Sequence, residues 1–267
     1  MRELRVRTLH DLIPAAQEFP PDFAIAYVQF LRSLRERLHP IGIRDVRLVE
    51  TTSGLKWCVD LGDRLGADFY YGHCGEFFES QLFLALLEPG ATVIDVGANF
   101  GYYTVSAAAK VGPAGVIHAF EPDPFAFKLL RSSIHANRLT NVRCHHVCLG
   151  AEDGETLFHV MAESAFSGIS PTGRARLRKK LTMRCRRLDS ILADEGRAVT
   201  AIKIDVEGHE GDVLRGSGET IRQCPGIVVM LEVNDKNLNQ ERRGALHAAL
   251  EELYADGFRG WVIDARE

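Results

Sequence analysis

From residue 91 onward the chain alternates short apolar runs with amphipathic stretches, and this alternation restricts the fold more than any other feature. Strand candidates fall at 92–96 (TVIDV), 115–120 (GVIHAF), 142–149 (VRCHHVCL), 200–206 (TAIKIDV), 227–233 (IVVMLEV) and 258–263 (FRGWVI). Helical spacing occupies 101–111, 124–137, 210–223 and 240–256 between them. Continuous apolar strands separated by amphipathic helices predict an α/β fold, a doubly wound, Rossmann-like, mostly parallel sheet covered on both faces. The longest interruption, residues 150–199, is expected to build a wall on the substrate side rather than core.

The first 79 residues read differently. Residues 21–38 (PDFAIAYVQFLRSLRERL) space their apolar positions as a helix, which Pro40-Ile41-Gly42 ends. Two short apolar runs around a Thr-Ser-Gly turn at 52–54 predict a β-hairpin, and residues 79–90 a short helix closed by Pro89-Gly90. The expected division is a small helix-plus-hairpin extension or lid over 1–79, followed by one ligand-binding domain over 80–267.

Composition narrows the function classes. With 46% hydrophobic and 25% charged residues, the 267-residue chain has the make-up of an ordinary globular protein. Its formal net charge of −4 gives no ground for nucleic-acid binding. No apolar run approaches the roughly 20 residues of a membrane span, and the first residues carry no apolar leader, so a cytoplasmic location is expected. Six cysteines are scattered without a CxxC pair, which argues against a disulfide framework or a zinc site.

The most informative segment is VIDVGANFGYYTVS, residues 93–106. A strand, a turn with Gly97 and Gly101, and a helix make a first turn of Rossmann type, where glycines admit a ligand close to the backbone. The dinucleotide fingerprint needs glycines at 99 and 102, and these are Asn99 and Tyr102. Asp95 would repel a pyrophosphate. A carboxylate here suits a cationic ligand such as S-adenosylmethionine, with its amino group and sulfonium. Glu121, twenty residues after Gly101 and at the end of the second strand, fits the hydroxyls of a ribose. The competing reading, in which Gly97 and Gly101 merely pack helix against strand, leaves the two strand-end acids unexplained.

These segments, together with residues 186–216 (RRLDSILADEGRAVTAIKIDVEGHEGDVLRG), resemble the FkbM-type family of class I S-adenosylmethionine-dependent methyltransferases. The resemblance covers roughly residues 70–235, and YYGHCGEFFE (70–79) shares it more loosely, with His73 as a residue that would close over the cofactor. It implies the class I methyltransferase fold and S-adenosylmethionine as cofactor. By position it implies that Asp95, Gly97, Ala98, Asn99 and Gly101 hold the methionine end, with Tyr103 and Thr104 capping the following helix. Glu121 would take the ribose, flanked by Pro122 and Asp123. Cys148 and Leu149 would lie along the adenine edge, where many relatives have Asp or Ser in place of Cys148.

Methyl transfer to oxygen needs a way to remove the acceptor's proton, by a base or through a divalent metal. The segment KIDVEGHE, residues 203–210, is the best equipped: Asp205, Glu207 and His209 are the catalytic candidates. Acids at a helix start also complement its dipole, and a histidine there also reads as structural. Asp205 with Glu232 and Asn234 is the alternative, an oxygen-rich magnesium site. Residues 174–187 hold eight basic side chains in fourteen, a solvated face by default and a lure for an anionic acceptor if it overhangs the site. Just before it, ESAFSGISP (163–171) reads as a flexible substrate loop. A sheet that stops after one strand at 258–263 would leave an edge favouring a homo-oligomer.

The expectation is an O-methyltransferase acting on a hydroxyl of a small molecule or sugar. Its rivals are the same cofactor with a carboxylate or amine acceptor, a non-catalytic module that binds an adenosyl cofactor, and, disfavoured by Asp95, an NAD-linked oxidoreductase.

Overall fold

The computed structural model describes residues 37–72, 77–170, 173–234 and 237–263. The helix expected at 21–38 therefore lies almost wholly outside the described residues, as do His73 and Glu76. The described chain opens with the expected hairpin, β1 (Val46–Glu50) antiparallel to β2 (Lys56–Asp60), followed by α1 (Arg64–Tyr70) and α2 (Phe77–Ala85). Then come β3 (Thr92–Val96), α3 (Tyr102–Val111), β4 (Val116–Phe120), α4 (Pro124–Ala136), β5 (Val142–His145) and β6 (Cys148–Leu149). The 150–199 segment forms β7 (Gly154–Met161), β8 (Leu177–Arg186) and α5 (Leu188–Leu192). Finally β9 (Ala201–Ile204), α6 (Glu210–Gly216), α7 (Gly218–Gln223), β10 (Val228–Leu231) and α8 (Gln240–Ala255) follow.

The five strands of the main sheet run parallel in the order β10–β9–β3–β4–β5. Because β3 pairs with β4 on one side and β9 on the other, the winding direction reverses between β3 and β9. That is the switch point at whose carboxyl-end crevice such sheets bind ligands. Every residue of β3 is buried, and alternation sends its side chains to opposite layers. Val93 packs with Ala107, Val111 and Phe83 of α3 and α2. Ile94 packs with Val213, Leu214 and Leu246 of α6 and α8.

The hairpin is bound to this sheet domain by backbone as well as by apolar contacts. Asn137, at the end of α4, accepts from Lys56 N at 2.9 Å and donates to Lys56 O at 2.5 Å. Trp57 donates Nε1 to Gly101 O at 3.1 Å and meets Phe69 edge-on at 5.2 Å, an aromatic contact that contributes about 0.5–1.5 kcal/mol. In consequence α1 is held over the end of β3.

Three expectations are corrected. The 142–149 run is two strands: β5 ends at His145, and Cys148–Leu149 leave the main sheet to pair with β8 in a three-stranded sheet of order β6–β8–β7. The 210–223 helix breaks at Ser217 into α6 and α7, beside Gly216, where a Cβ would come to 2.0 Å of the Gly150 carbonyl oxygen. Residues 258–263 form no strand. Trp261 and Val262 are 83% and 95% exposed, with no partner strand beside them among the described residues. Within those residues β10 ends the sheet.

Candidate functional site

The turn after β3 is shaped by backbone demands. Gly97 has φ +78°, and a Cβ there would come to 1.9 Å of the Asp205 carbonyl oxygen, so glycine alone lets the loops leaving β3 and β9 touch. The amides of Gly97 and Ala98 both donate to Phe120 O at 3.0 Å. Asn99 adopts a left-handed φ of 49°, uncommon for a side-chain-bearing residue.

Beneath this turn lies a buried charged group. The parallel register sets Asp95 opposite Lys203. Asp95 is 2% exposed; its Oδ2 accepts from Thr104 Oγ1 at 2.5 Å, and its Oδ1 has no hydrogen-bond partner among the described residues. Burial raises its pKa, opposed by Lys203 and the Thr104 bond. Lys203, 4% exposed, reaches Asp205 Oδ2 at 3.1 Å and Gly97 O at 3.5 Å, and its Nζ lies 4.9 Å over the Tyr103 ring. Thr104 thus ties the first turn of α3 to Asp95, while Gly101 caps that helix.

Glu121 stands at the end of β4. Its Oε2 accepts from Asn99 N and its Oε1 from Asp123 N, both at 2.7 Å. Burial, and then Asp123, push its pKa up to about 8. A carboxylate has about four acceptor positions, so two remain for ligand hydroxyls. Asp123 itself caps α4 through Phe125 N at 2.8 Å.

Above these groups opens a cavity of about 450 Å³, within the range of small-molecule sites. It brings together many of the expected residues: Gly97, Ala98, Asn99, Tyr103, Glu121, Pro122, Cys148 and Leu149 on the cofactor side, and Asp205, Glu207, Glu232 and Asn234 on the other. Burial holds the Cys148 thiol protonated, consistent with an apolar wall. Asp95, Gly101, Thr104 and Asp123 are not part of the lining; they stand behind it.

His209 does not line the cavity either. It precedes α6 with Nδ1 3.0 Å from Asp212 Oδ2 and Nε2 3.3 Å from Ser170 Oγ, so both ring nitrogens have partners within the protein. Glu207 has a left-handed φ of 55° and is held by Asn237 and, at 3.7 Å, by Arg174. The magnesium reading of Asp205, Glu232 and Asn234 finds no support. Lys203 already supplies Asp205 with a cation.

Arg64 is not among the expected site residues, and Lys203 stands in the KIDVEGHE segment without the role that its pairing with Asp95 and Asp205 gives it. Of the expected substrate loop at 163–171, residues 164–169 do line the cavity. The 150–199 segment also contributes Phe158 and Arg174 to the wall, and Arg64 and Arg174 flank the Phe166 ring at 5.3 and 4.1 Å. Most of the basic run lies on β8 instead, away from the lining.

A glycine turn, a strand-end acid and a carboxylate-lined cavity at the switch point define a class of ligand site, and comparison of the sequence with known families names it. Residues 95–259 match the methyltransferase FkbM domain. The chain belongs to this family. It is 28% identical to 31-O-demethyl-FK506 methyltransferase FkbM of Streptomyces tacrolimicus, over 64% of this chain and 74% of that one. It is 26% identical to 2-O-methyltransferase NoeI of Sinorhizobium fredii (strain NBRC 101917 / NGR234), over 59% and 69%. Among solved structures, methyltransferase FkbM from Methylobacillus flagellatus KT matches 62% of this chain and 38% of its own length, with 16% identity and a TM-score of 0.44. The chain is a methyltransferase of FkbM type, and no described helix is long and apolar enough to cross a membrane.

Proposed function

We propose that this methyltransferase binds S-adenosylmethionine in the cavity over the β3 turn and transfers its methyl group to a hydroxyl of a small molecule or sugar. The observation that carries the reading is the convergence of Glu121, Asp205, Glu207 and Glu232 on one cavity whose floor is the Gly97–Asn99 turn. The residues fit the cofactor. Glu121 has acceptor positions left for hydroxyls, and the carboxylates of Asp205, Glu207 and Glu232 on the opposite wall suit a cationic end. Two relatives whose names specify O-methylation, 31-O-demethyl-FK506 methyltransferase and 2-O-methyltransferase NoeI, favour an oxygen acceptor.

S-adenosylmethionine bound there supplies a methyl group on a sulfonium, open to displacement. The protein's part is to hold the acceptor oxygen in line with it, which supplies much of the acceleration. Asp205, fixed by Lys203, orients the reacting end, and Glu207 takes the acceptor's proton as the new oxygen–carbon bond forms and the sulfur–carbon bond breaks. A positioned base of this kind contributes about 10²–10⁴-fold. Asp95 acts indirectly, from behind the turn, by holding Thr104 at the start of α3 and balancing the charge of Lys203. Residues 150–199 and α1 form the acceptor wall.

The test is methyl transfer from labelled S-adenosylmethionine across a panel of sugars, polyketide alcohols, carboxylic acids and amines. Label appearing in ethers supports the reading. Label only in esters or methylamines replaces the hydroxyl with another acceptor, and cofactor binding without turnover of any class leaves a binding module.

A further inference from the structure

The carboxylate of Glu121 is held from two sides, by the amides of Asn99 and Asp123. Both of those residues are in turn held by one short segment from the 150–199 region. The Asn99 side-chain amide donates to Ser164 Oγ at 3.0 Å, across 65 positions of sequence. Ser167 Oγ donates to Asp123 Oδ2 at 3.3 Å, across 44 positions, and accepts from Met161 N at 3.0 Å. Ser164 is fixed as well: its amide donates to the half-buried Asp63, whose other oxygen caps α1 through Leu65 N at 3.0 Å. Between the two serines, Ala165 and Phe166 face the cavity.

We propose that residues 164–167 form a strap that positions the Asn99 turn and Glu121 for the cofactor, with Ser164 and Ser167 as positioning residues; the proposal rests on the cofactor reading above. The physical need is at Asn99. Its φ of 49° lies in the left-handed region, where an L residue persists only when its surroundings hold it. Ser164 supplies that hold through the side chain while Glu121 takes the amide. If the Ser164 hydroxyl is lost, Asn99 can relax toward ordinary φ values, which turns its amide from Glu121 and loosens the ribose site. The same strap carries Phe166 on the acceptor wall, so the two ligand walls are mechanically joined.

The test is a double-mutant cycle read by calorimetric titration of the full chain with S-adenosylhomocysteine, with Tm recorded for each variant. Ser164→Ala is expected to weaken binding about tenfold with little change in Tm. In an Asn99→Gly background the same substitution is expected to have no further effect, because glycine adopts φ near 50° without a tether. Ser167→Ala should give a smaller loss, and keeps the idea testable if Ser164→Ala folds poorly. Ser132→Ala, whose hydroxyl bonds only its own helix at Lys128 O, should bind as the parent does. Parent-like binding by both Ser164→Ala and Ser167→Ala overturns the strap alone, as does an undiminished Ser164→Ala effect in the Asn99→Gly background. A parent chain that does not bind the ligand overturns the cofactor reading and the strap together.

Discussion

Gly97 and Asp205 touch so closely that a Cβ on Gly97 would come to 1.9 Å of the Asp205 carbonyl oxygen. The contact joins the loops leaving β3 and β9, and so sets the floor of the cavity. Gly97→Ala must open that junction and also strain a φ of +78°. The expected loss is about 1–3 kcal/mol, a Tm drop on the order of 3–10 °C, with S-adenosylhomocysteine binding abolished. Differential scanning fluorimetry and calorimetry on the purified variant check both parts.

Lys203 stands between two carboxylates in a nearly dry setting, so its removal leaves Asp95 and Asp205 without their cation. Breaking such a pair from one side typically destabilises by about 3 kcal/mol. Lys203→Met is expected to lower Tm by several degrees and to abolish turnover. Adding Asp205→Asn should restore part of the Tm and none of the activity, since the surplus charge is gone but the carboxylate is missing. Equal Tm values for the single and double variants would mean that Lys203 serves packing instead.

Asp205 faces the cavity and His209 does not, which separates their variants. Asp205→Asn should reduce kcat at least about 100-fold, through loss of the orientation it gives the reacting end, while leaving cofactor affinity within an order of magnitude. His209→Ala should keep kcat/KM within about threefold and lose stability through the Asp212 and Ser170 contacts. Steady-state kinetics on both decides it; comparable losses of kcat would restore His209 as a base.

Much of this was legible beforehand, and the exceptions have physical causes. β3 and β4 are almost wholly buried, so they read as largely apolar runs, broken by Asp95 and His118, next to Gly97 and Glu121. Cys148 and Leu149 are equally apolar, and nothing in their pattern reveals that they abandon β5 for β8. FRGWVI has strand character at 258–263, but a strand needs a neighbour, and none meets it among the described residues. Lys203 acquires its role only through the register that sets it beside Asp95, and Ser164 through contacts 65 and 101 positions away. Tertiary pairings of that kind leave no local signature.

Glu121 gives a pH signature. Its pKa rises from 4.5 to about 8 on folding, so between those values the folded chain holds a proton that the unfolded chain has released. Stability from this group is therefore full below the unfolded value and is lost as pH rises through the folded one. From pH 7 to 8.5 the ligand-free protein should lose about 1 kcal/mol, and Glu121→Gln should flatten that slope. His145, lowered to about 4 by burial, exerts its linkage below pH 6.5, whereas Asp95, Glu210 and Asp63 are also raised by burial, so the difference between the parent and Glu121→Gln slopes is what isolates Glu121. Ligand hydroxyls favour the ionised form, so S-adenosylhomocysteine affinity should rise over the same interval, by up to about tenfold. Thermal melts and calorimetry at four pH values read both trends, and a parent slope no steeper than that of the variant contradicts the assignment.

The central claim is that the cavity over Gly97 and Glu121 takes an adenosyl ligand with a cationic end. Its most direct test is thermal melting with S-adenosylmethionine, S-adenosylhomocysteine and NAD. A ligand at about 100 times its Kd adds roughly 2.7 kcal/mol, a shift on the order of 5–10 °C for a chain of this size. The account predicts that shift with the two adenosyl ligands and none with NAD. A shift with NAD alone, or with none of the three, contradicts it.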